Sequence, residues 1–115
     1  MTKSFKDITK HVSTNLAKLH KHIPETTKAF SQLGAAATAD GVLGKKTKEL
    51  IALALAVGAR CDACIGFHTK ALVQLGATEE EVAETLGMCI YMGGGPSMMY
   101  AAEAVASFND FSKES

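Results

Sequence analysis

The sequence contains no tryptophan, and aromatic residues make up only 6% of it. Its apolar residues, 47% of the chain, are therefore mostly Ala, Leu, Val, Ile and Met, which suit packed helices. The alternation of apolar and polar residues that is typical of a half-buried strand is also missing. These absences favour an all-α protein.

Neither sign of charge predominates, because twelve basic residues balance twelve acidic ones. Such a chain has no overall field that would attract nucleic acid or anionic lipid. The longest apolar run, 50–59, falls well short of the roughly 20 residues that a membrane span needs. The first residues also lack the apolar segment of a signal peptide. We therefore expect a cytoplasmic protein without a nucleic-acid or membrane partner.

Cysteine is scarce, with only three residues in the chain. In a reducing compartment three cysteines do not build a structural disulfide framework, so a C-x-x-C pair there points to catalysis or metal binding. The length of 115 residues predicts a single domain, 1–115.

Apolar residues recur at steps of three and four along most of the chain, which predicts about six helices. Helix boundaries are indicated by proline, by glycine and by a Thr78–Glu81 capping box. The third helix is apolar nearly all round, which is typical of a helix buried in a core or between subunits. The segment after residue 108 is polar and is predicted to be a tail. The predicted helices span about 5–23, 24–39, 45–57, 61–75, 79–92 and 97–108.

The most informative pattern is Cys61, Cys64 and His68, which reads C-x2-C-x3-H. These spacings place the three side chains on one face of the fourth helix, with Cys61 in its first turn. The helix start favours a thiolate, His68 can take the proton of Cys64, and the second thiol can close a disulfide. Glu49, on the preceding helix, can orient His68. This is a redox or acid–base site.

Two other interpretations compete with that one. Cys61, Cys64 and His68 could bind zinc, with Glu49 or water as the fourth ligand, although no second ligand pair is present in the sequence. The two thiols could also be inert core residues beside a core histidine. Covalent haem attachment is excluded because Ile65 stands where that motif requires histidine.

Three segments match one known family: Glu49–Ala54, Cys61–His68 and Gly76–Glu81. In these residues, and across about 20–108, the chain resembles the alkylhydroperoxidase-D-like, or carboxymuconolactone decarboxylase, family. The resemblance implies an all-helical bundle that assembles as a homotrimer or homohexamer. It also implies the redox-active branch of the family, because the namesake decarboxylases generally lack the cysteine pair.

The resemblance further implies a role for each site residue. The thiol matching Cys64 attacks a hydroperoxide with help from His68 and Glu49, and the thiol matching Cys61 resolves the sulfenate as a disulfide. A dithiol donor, lipoyl or thioredoxin-like, then reduces that disulfide, and no cofactor or metal is required. In the best-known peroxidases of the family a histidine stands at the position of Ala63, so a shorter proton relay and weaker hydroperoxide turnover are expected here. Those peroxidases are also longer and have two related helical halves, whereas this chain has one.

The sequence therefore predicts a thiol–disulfide oxidoreductase with hydroperoxide reductase activity. A lyase acting on a small cyclic acid through His68 and Glu49 is the first alternative. A redox-sensing module without turnover is the second. The third cysteine, Cys89, is expected to be an inert buried thiol, with a resolving or intersubunit role as the alternative.

Overall fold

The computed structural model describes residues 2–113, and this part of the chain is almost entirely helical, without a β-strand. The prediction of an all-α fold with about six helices is confirmed. The helices are α1 (Phe5–His22), α2 (Pro24–Thr38), α3 (Lys45–Gly58), α4 (Asp62–Gln74), α5 (Glu79–Gly93) and α6 (Gly95–Ser112).

Local sequence signals explain where α4 ends and α5 begins. Gly76 adopts a left-handed φ of 76°, and the amide of Ala77 donates to the carbonyl of Leu72 at 3.0 Å, which closes the last turn of α4. The predicted capping box is present, since the Glu81 amide donates to Thr78 Oγ1 and the Thr78 amide donates to Glu81 Oε1. These caps fix the length of the connection between the two helices.

The sixth helix is longer at both ends than the sequence pattern predicts. It begins at Gly95 because Gly94, at a φ of 72°, reverses the chain, and Pro96 is compatible with a first helical turn. It continues to Ser112 because Phe108 and Phe111 are both buried against the core. The prediction that a polar tail follows residue 108 is therefore wrong for residues 109–112, which belong to α6.

The site helix α4 lies at the centre of the fold and packs against α1, α3 and α6. Its Ile65 and Leu72 side chains are fully buried, and each contributes about 1.5–3 kcal/mol of hydrophobic stabilisation. The Thr69 hydroxyl lies 2.6 Å from that of Ser107 on α6. At Gly66 a Cβ atom would come within 2.5 Å of the Thr9 side chain, so only glycine lets α1 approach this closely.

The second helix is different, because none of its residues is buried. Residues 10–38, which we call the arm, hold no buried side chain, and Phe30 on α2 is 74% exposed. Among the helices of residues 2–113, α2 contacts only α1 and α3. No helix within residues 2–113 combines the length and apolar character needed to cross a bilayer.

The third helix is only partly buried within this chain. Leu53 and Val57 face the core, but Leu55 is 69% exposed and Ile51 is also exposed. Its apolar residues thus divide between the core and an open surface.

Candidate active site

The first cysteine of the pair does not lie inside the helix but caps it. After α3 ends at Gly58, the chain turns through residues 59–61, and Cys61 adopts an extended backbone with φ −106° and ψ 99°. The Cys64 amide donates to Cys61 Sγ at 3.2 Å. The sulfur thus takes the place that a serine or aspartate oxygen usually holds at a helix start. The sequence prediction placed Cys61 one residue too far into the helix.

Cys61 and Cys64 are joined by a disulfide, with their Cα atoms 5.2 Å apart. This Cα separation is within the usual range for a disulfide. Because α4 starts here, its free amides and its dipole would stabilise a negative charge on either sulfur after reduction. The pair is therefore placed for reversible thiol–disulfide chemistry.

Glu49 and His68 form a hydrogen bond between α3 and α4. Glu49 Oε2 lies 2.6 Å from His68 Nδ1. Glu49 is only 6% exposed, and a carboxylate so buried requires a partner. Its contact with Nδ1 assigns the proton of neutral His68 to that nitrogen and leaves Nε2 as the acceptor.

The imidazole of His68 is accessible at the surface of the site, with its side chain 33% exposed. On α4 it follows Cys64 by four residues, a spacing that brings Cβ atoms to about 5–6 Å. The structure thus joins the four residues singled out in the sequence in two pairs, Cys61 with Cys64 and Glu49 with His68, and the helical spacing places His68 one turn from Cys64.

The sequence analysis did not single out two charged features beside the cysteines, the Lys3–Asp62 ion pair and Arg60. Lys3 Nζ lies 3.0 Å from Asp62 Oδ2 and 5.4 Å from the centre of the Tyr100 ring. The hydrogen bond to Asp62 raises the pKa of Lys3. This pair joins the start of the chain to the residue that follows Cys61, and a separation of 59 residues left no local signal for it.

The second is Arg60, which precedes Cys61 and is the only arginine of the chain. Its φ of 58° is left-handed, a conformation that costs a non-glycine residue roughly 1–2 kcal/mol. Residues with a strained backbone of this kind cluster at functional sites in proteins. The signal in the sequence that could have identified Arg60 is that the single arginine of the chain stands directly before the cysteine motif.

The third cysteine is separate from this site. Cys89 is buried on α5, and its thiol contacts the backbone carbonyls of Ala54 and Thr85. Burial raises the pKa of the Cys89 thiol and favours its neutral form. The expectation of a buried thiol is confirmed.

The zinc alternative draws no support from this arrangement. The two cysteine sulfurs bond to each other, and the Glu49 carboxylate contacts His68. Across residues 2–113, no three His, Cys, Asp or Glu side chains converge in a geometry that would hold a metal ion.

Residues 24–107 match the model of the carboxymuconolactone decarboxylase family. The chain belongs to the carboxymuconolactone decarboxylase family. The resemblance seen in the sequence is thereby confirmed, and the match includes every residue of the Glu–Cys–Cys–His site.

Solved structures of other carboxymuconolactone decarboxylase family proteins share this fold. An apo family protein from Legionella pneumophila is 61% identical, with a TM-score of 0.92 over 94% of this chain and 96% of the other. A family protein from Thermotoga maritima, for which a part in the antioxidative response has been suggested, is 30% identical. Its TM-score is 0.81, over 91% of this chain and 90% of its own.

A similar sequence is also found in Cupriavidus necator. This uncharacterized protein is 42% identical over 109 residues, which cover 95% of this chain and 96% of the relative. The similarity to this carboxymuconolactone decarboxylase family chain therefore extends beyond the segment that contains the site.

Proposed function

We propose that this protein is a thiol–disulfide oxidoreductase that reduces hydroperoxides. The observation that carries the proposal is a C-x-x-C disulfide at the start of α4, one helical turn from a histidine that a buried carboxylate orients. The suggested antioxidative role of the Thermotoga maritima relative supports the same chemistry.

In the proposed reaction, His68 Nε2 takes the proton of the Cys64 thiol. The thiolate then attacks the terminal oxygen of the hydroperoxide, the O–O bond breaks, and Cys64 becomes a sulfenic acid. The alkoxide leaving group receives the proton from His68 and departs as an alcohol. Glu49 keeps the imidazole in one tautomer and stabilises its charged form.

The resolving step closes the disulfide. The Cys61 thiolate attacks the Cys64 sulfur and displaces hydroxide, which leaves as water with the proton of the Cys61 thiol. Two thiols and one hydroperoxide thus give a disulfide, an alcohol and water. A lipoyl or thioredoxin-like dithiol then returns two electrons by thiol–disulfide exchange. We place this cycle in the cytoplasm, where such reductants are kept reduced.

We also propose that the working form is a homotrimer or homohexamer. The arm exposes apolar side chains that a lone chain would leave in water, and a second copy of the chain would cover them. These residues, which we call the arm face, are Leu16, Leu19, Phe30 and Leu33.

Single-turnover oxidation of the reduced protein by tert-butyl hydroperoxide tests the reaction. We expect Cys64→Ser to abolish oxidation, whereas Cys61→Ser should accumulate a sulfenic acid at Cys64 that dimedone traps and mass spectrometry locates. Cys89→Ser is the matched control and should react like wild type. If Cys64→Ser consumes hydroperoxide at the wild-type rate, the assignment of roles is wrong.

A second candidate is acid–base catalysis on a small cyclic acid, which the Glu49–His68 pair favours. This lyase reaction would not need the thiols. Activity on a lactone acid that survives in the Cys61→Ser, Cys64→Ser double variant, together with no hydroperoxide consumption by wild type, would favour the lyase.

A further inference from the structure

An open cleft of about 430 Å³ lies between α3, α5 and the start of α6, and it plays no part in the reaction described above. Its volume is in the range of pockets that accept small molecules. Arg60 forms part of its edge, so the cleft reaches the turn that leads directly into Cys61.

One end of the cleft carries donors without acceptors. The helix α6 begins there, and it has neither a side-chain cap nor an acidic residue in its first turn. Ser97, in that turn, lines the cleft and is only 8% exposed, yet its hydroxyl has no hydrogen-bond partner among residues 2–113. A serine hydroxyl that is accessible from the cleft and has no hydrogen-bond partner among the described residues, together with the positive end of an 18-residue helix, favours a negatively charged group.

Arg60 lines the same cleft with a free guanidinium. Within the described part of the chain, its side chain forms no ion pair or hydrogen bond, whereas the Lys3 and Lys46 side chains are paired with Asp62 and Glu81. Arginine binds a carboxylate through two parallel hydrogen bonds, which lysine cannot match. The left-handed backbone holds this residue at the turn despite the strain.

The walls of the cleft are apolar. Leu55, Met88 and Met92 line it and are all well exposed. Methionine side chains are flexible and adapt to hydrocarbon chains of different shape. A carboxylate at the polar end would therefore direct an aliphatic chain along these three residues.

We propose that this cleft binds an aliphatic carboxylic acid, with the carboxylate at Arg60, Ser97 and the start of α6. The role of the cleft as a substrate site rests on the function proposed above. In that role the cleft selects hydroperoxides of aliphatic acids over uncharged hydroperoxides. Because Arg60 directly precedes Cys61, the cleft adjoins the turn that leads into the thiol site.

Calorimetric titration with sodium salts of linear acids, from butanoate to octanoate, tests binding without any need for turnover. Each added methylene should tighten binding about two- to fourfold, as expected for burial on apolar walls. Arg60→Gln should weaken octanoate binding about tenfold or more, and Ser97→Ala about threefold. The matched control is Lys28→Gln, an exposed cation of the arm, which should bind like wild type.

A second variant, Arg60→Gly, separates the loss of the guanidinium from any loss of stability at the strained turn. Arg60→Gly relieves the left-handed backbone and removes the guanidinium, so it should lose octanoate binding while its thermal stability is retained or improved. If Arg60→Gln and Arg60→Gly both bind octanoate as wild type does, or if octanoate gives no binding signal, the acid site is overturned.

Kinetics separate this site from the proposed function. We expect the KM for a hydroperoxide of octanoic acid to rise about tenfold in Arg60→Gln with little change in kcat, and the KM for tert-butyl hydroperoxide to stay constant. Reduction of both hydroperoxides with equal KM in wild type and Arg60→Gln would overturn the acid site and leave the reductase intact. Arginine-dependent octanoate binding without any hydroperoxide reduction would support the acid site and refute the reductase.

Discussion

The two ends of this chain are built in opposite ways. From α3 to α6 every helix contributes buried side chains to one core, with α4 at its centre, and we call residues 45–112 the scaffold. The arm, residues 10–38, contributes none. The Glu–Cys–Cys–His site lies wholly on the scaffold. The geometry of the site is therefore fixed by packing within the scaffold, whereas the arm keeps all its apolar side chains outside the core.

The largest expected contrast between the two regions is in stability. Leu72→Ala on α4 should lower the free energy of unfolding by about 2–5 kcal/mol, because it removes a fully buried side chain and leaves a cavity. Leu33→Ala on α2 should change it by less than about 0.5 kcal/mol at low protein concentration. Urea denaturation measures both, and equal losses would show that the arm is as tightly packed as the scaffold.

A second contrast concerns charge. Glu49→Gln should slow oxidation of Cys64 by about 100-fold, because His68 loses the carboxylate that orients it. Glu25→Gln, an equivalent change on the arm, should have no effect on the rate. Stopped-flow oxidation by hydroperoxide gives both rates, and a normal rate in Glu49→Gln would remove Glu49 from the mechanism.

A third prediction concerns what covers the arm. Phe30→Asp should dissociate the proposed oligomer, since it places a charge in a contact that would become buried, and its effect on a lone chain should be small. Light scattering after size-exclusion chromatography measures the mass, and Lys28→Gln serves as the control. An unchanged mass for Phe30→Asp would show that the arm face is not a subunit contact.

The smallest expected effect on stability comes from the ion pair between Lys3, at the start of the chain, and Asp62 of the scaffold. Asp62 raises the pKa of Lys3, so the pair contributes stability that is complete below the ordinary lysine value of 10.5. That stability is lost as the pH rises through the higher pKa of the folded state. The contribution is about 0.2–1 kcal/mol, and toward the lower end because the pair is well exposed.

Urea denaturation of wild type, Lys3→Met, Asp62→Asn and the double variant would isolate the pair. The coupling between the two changes should be present at neutral pH, weaker in high salt, and absent well above pH 10.5. A coupling that persists unchanged at high pH would exclude an ionic origin.

Features that depend on neighbouring residues in the sequence were predicted well. The capping box at Thr78, the end of α4 before Gly76 and the spacing of Cys64 and His68 all follow from local geometry. The contact between Glu49 and His68 was also anticipated, because a lone carboxylate in an apolar helix requires a partner.

Features that depend on distant neighbours were not predicted. Periodicity shows that Leu55 lies on an apolar helix, but it does not show that no other helix covers that side. The burial of Phe111, which extends α6, depends on a core assembled from the whole chain. The left-handed backbone of Arg60 could not be read from the sequence, because such positions are normally occupied by glycine.

The cap formed by Cys61 has one more consequence. The sulfur that accepts the Cys64 amide is also one of the two atoms that gain or lose electrons. A change in the electron density on that sulfur must therefore alter the magnetic environment of the adjacent amide proton. The backbone resonance of residue 64 is thus an intrinsic reporter of the state of the couple, readable by spectroscopy on the unmodified polypeptide without any added dye.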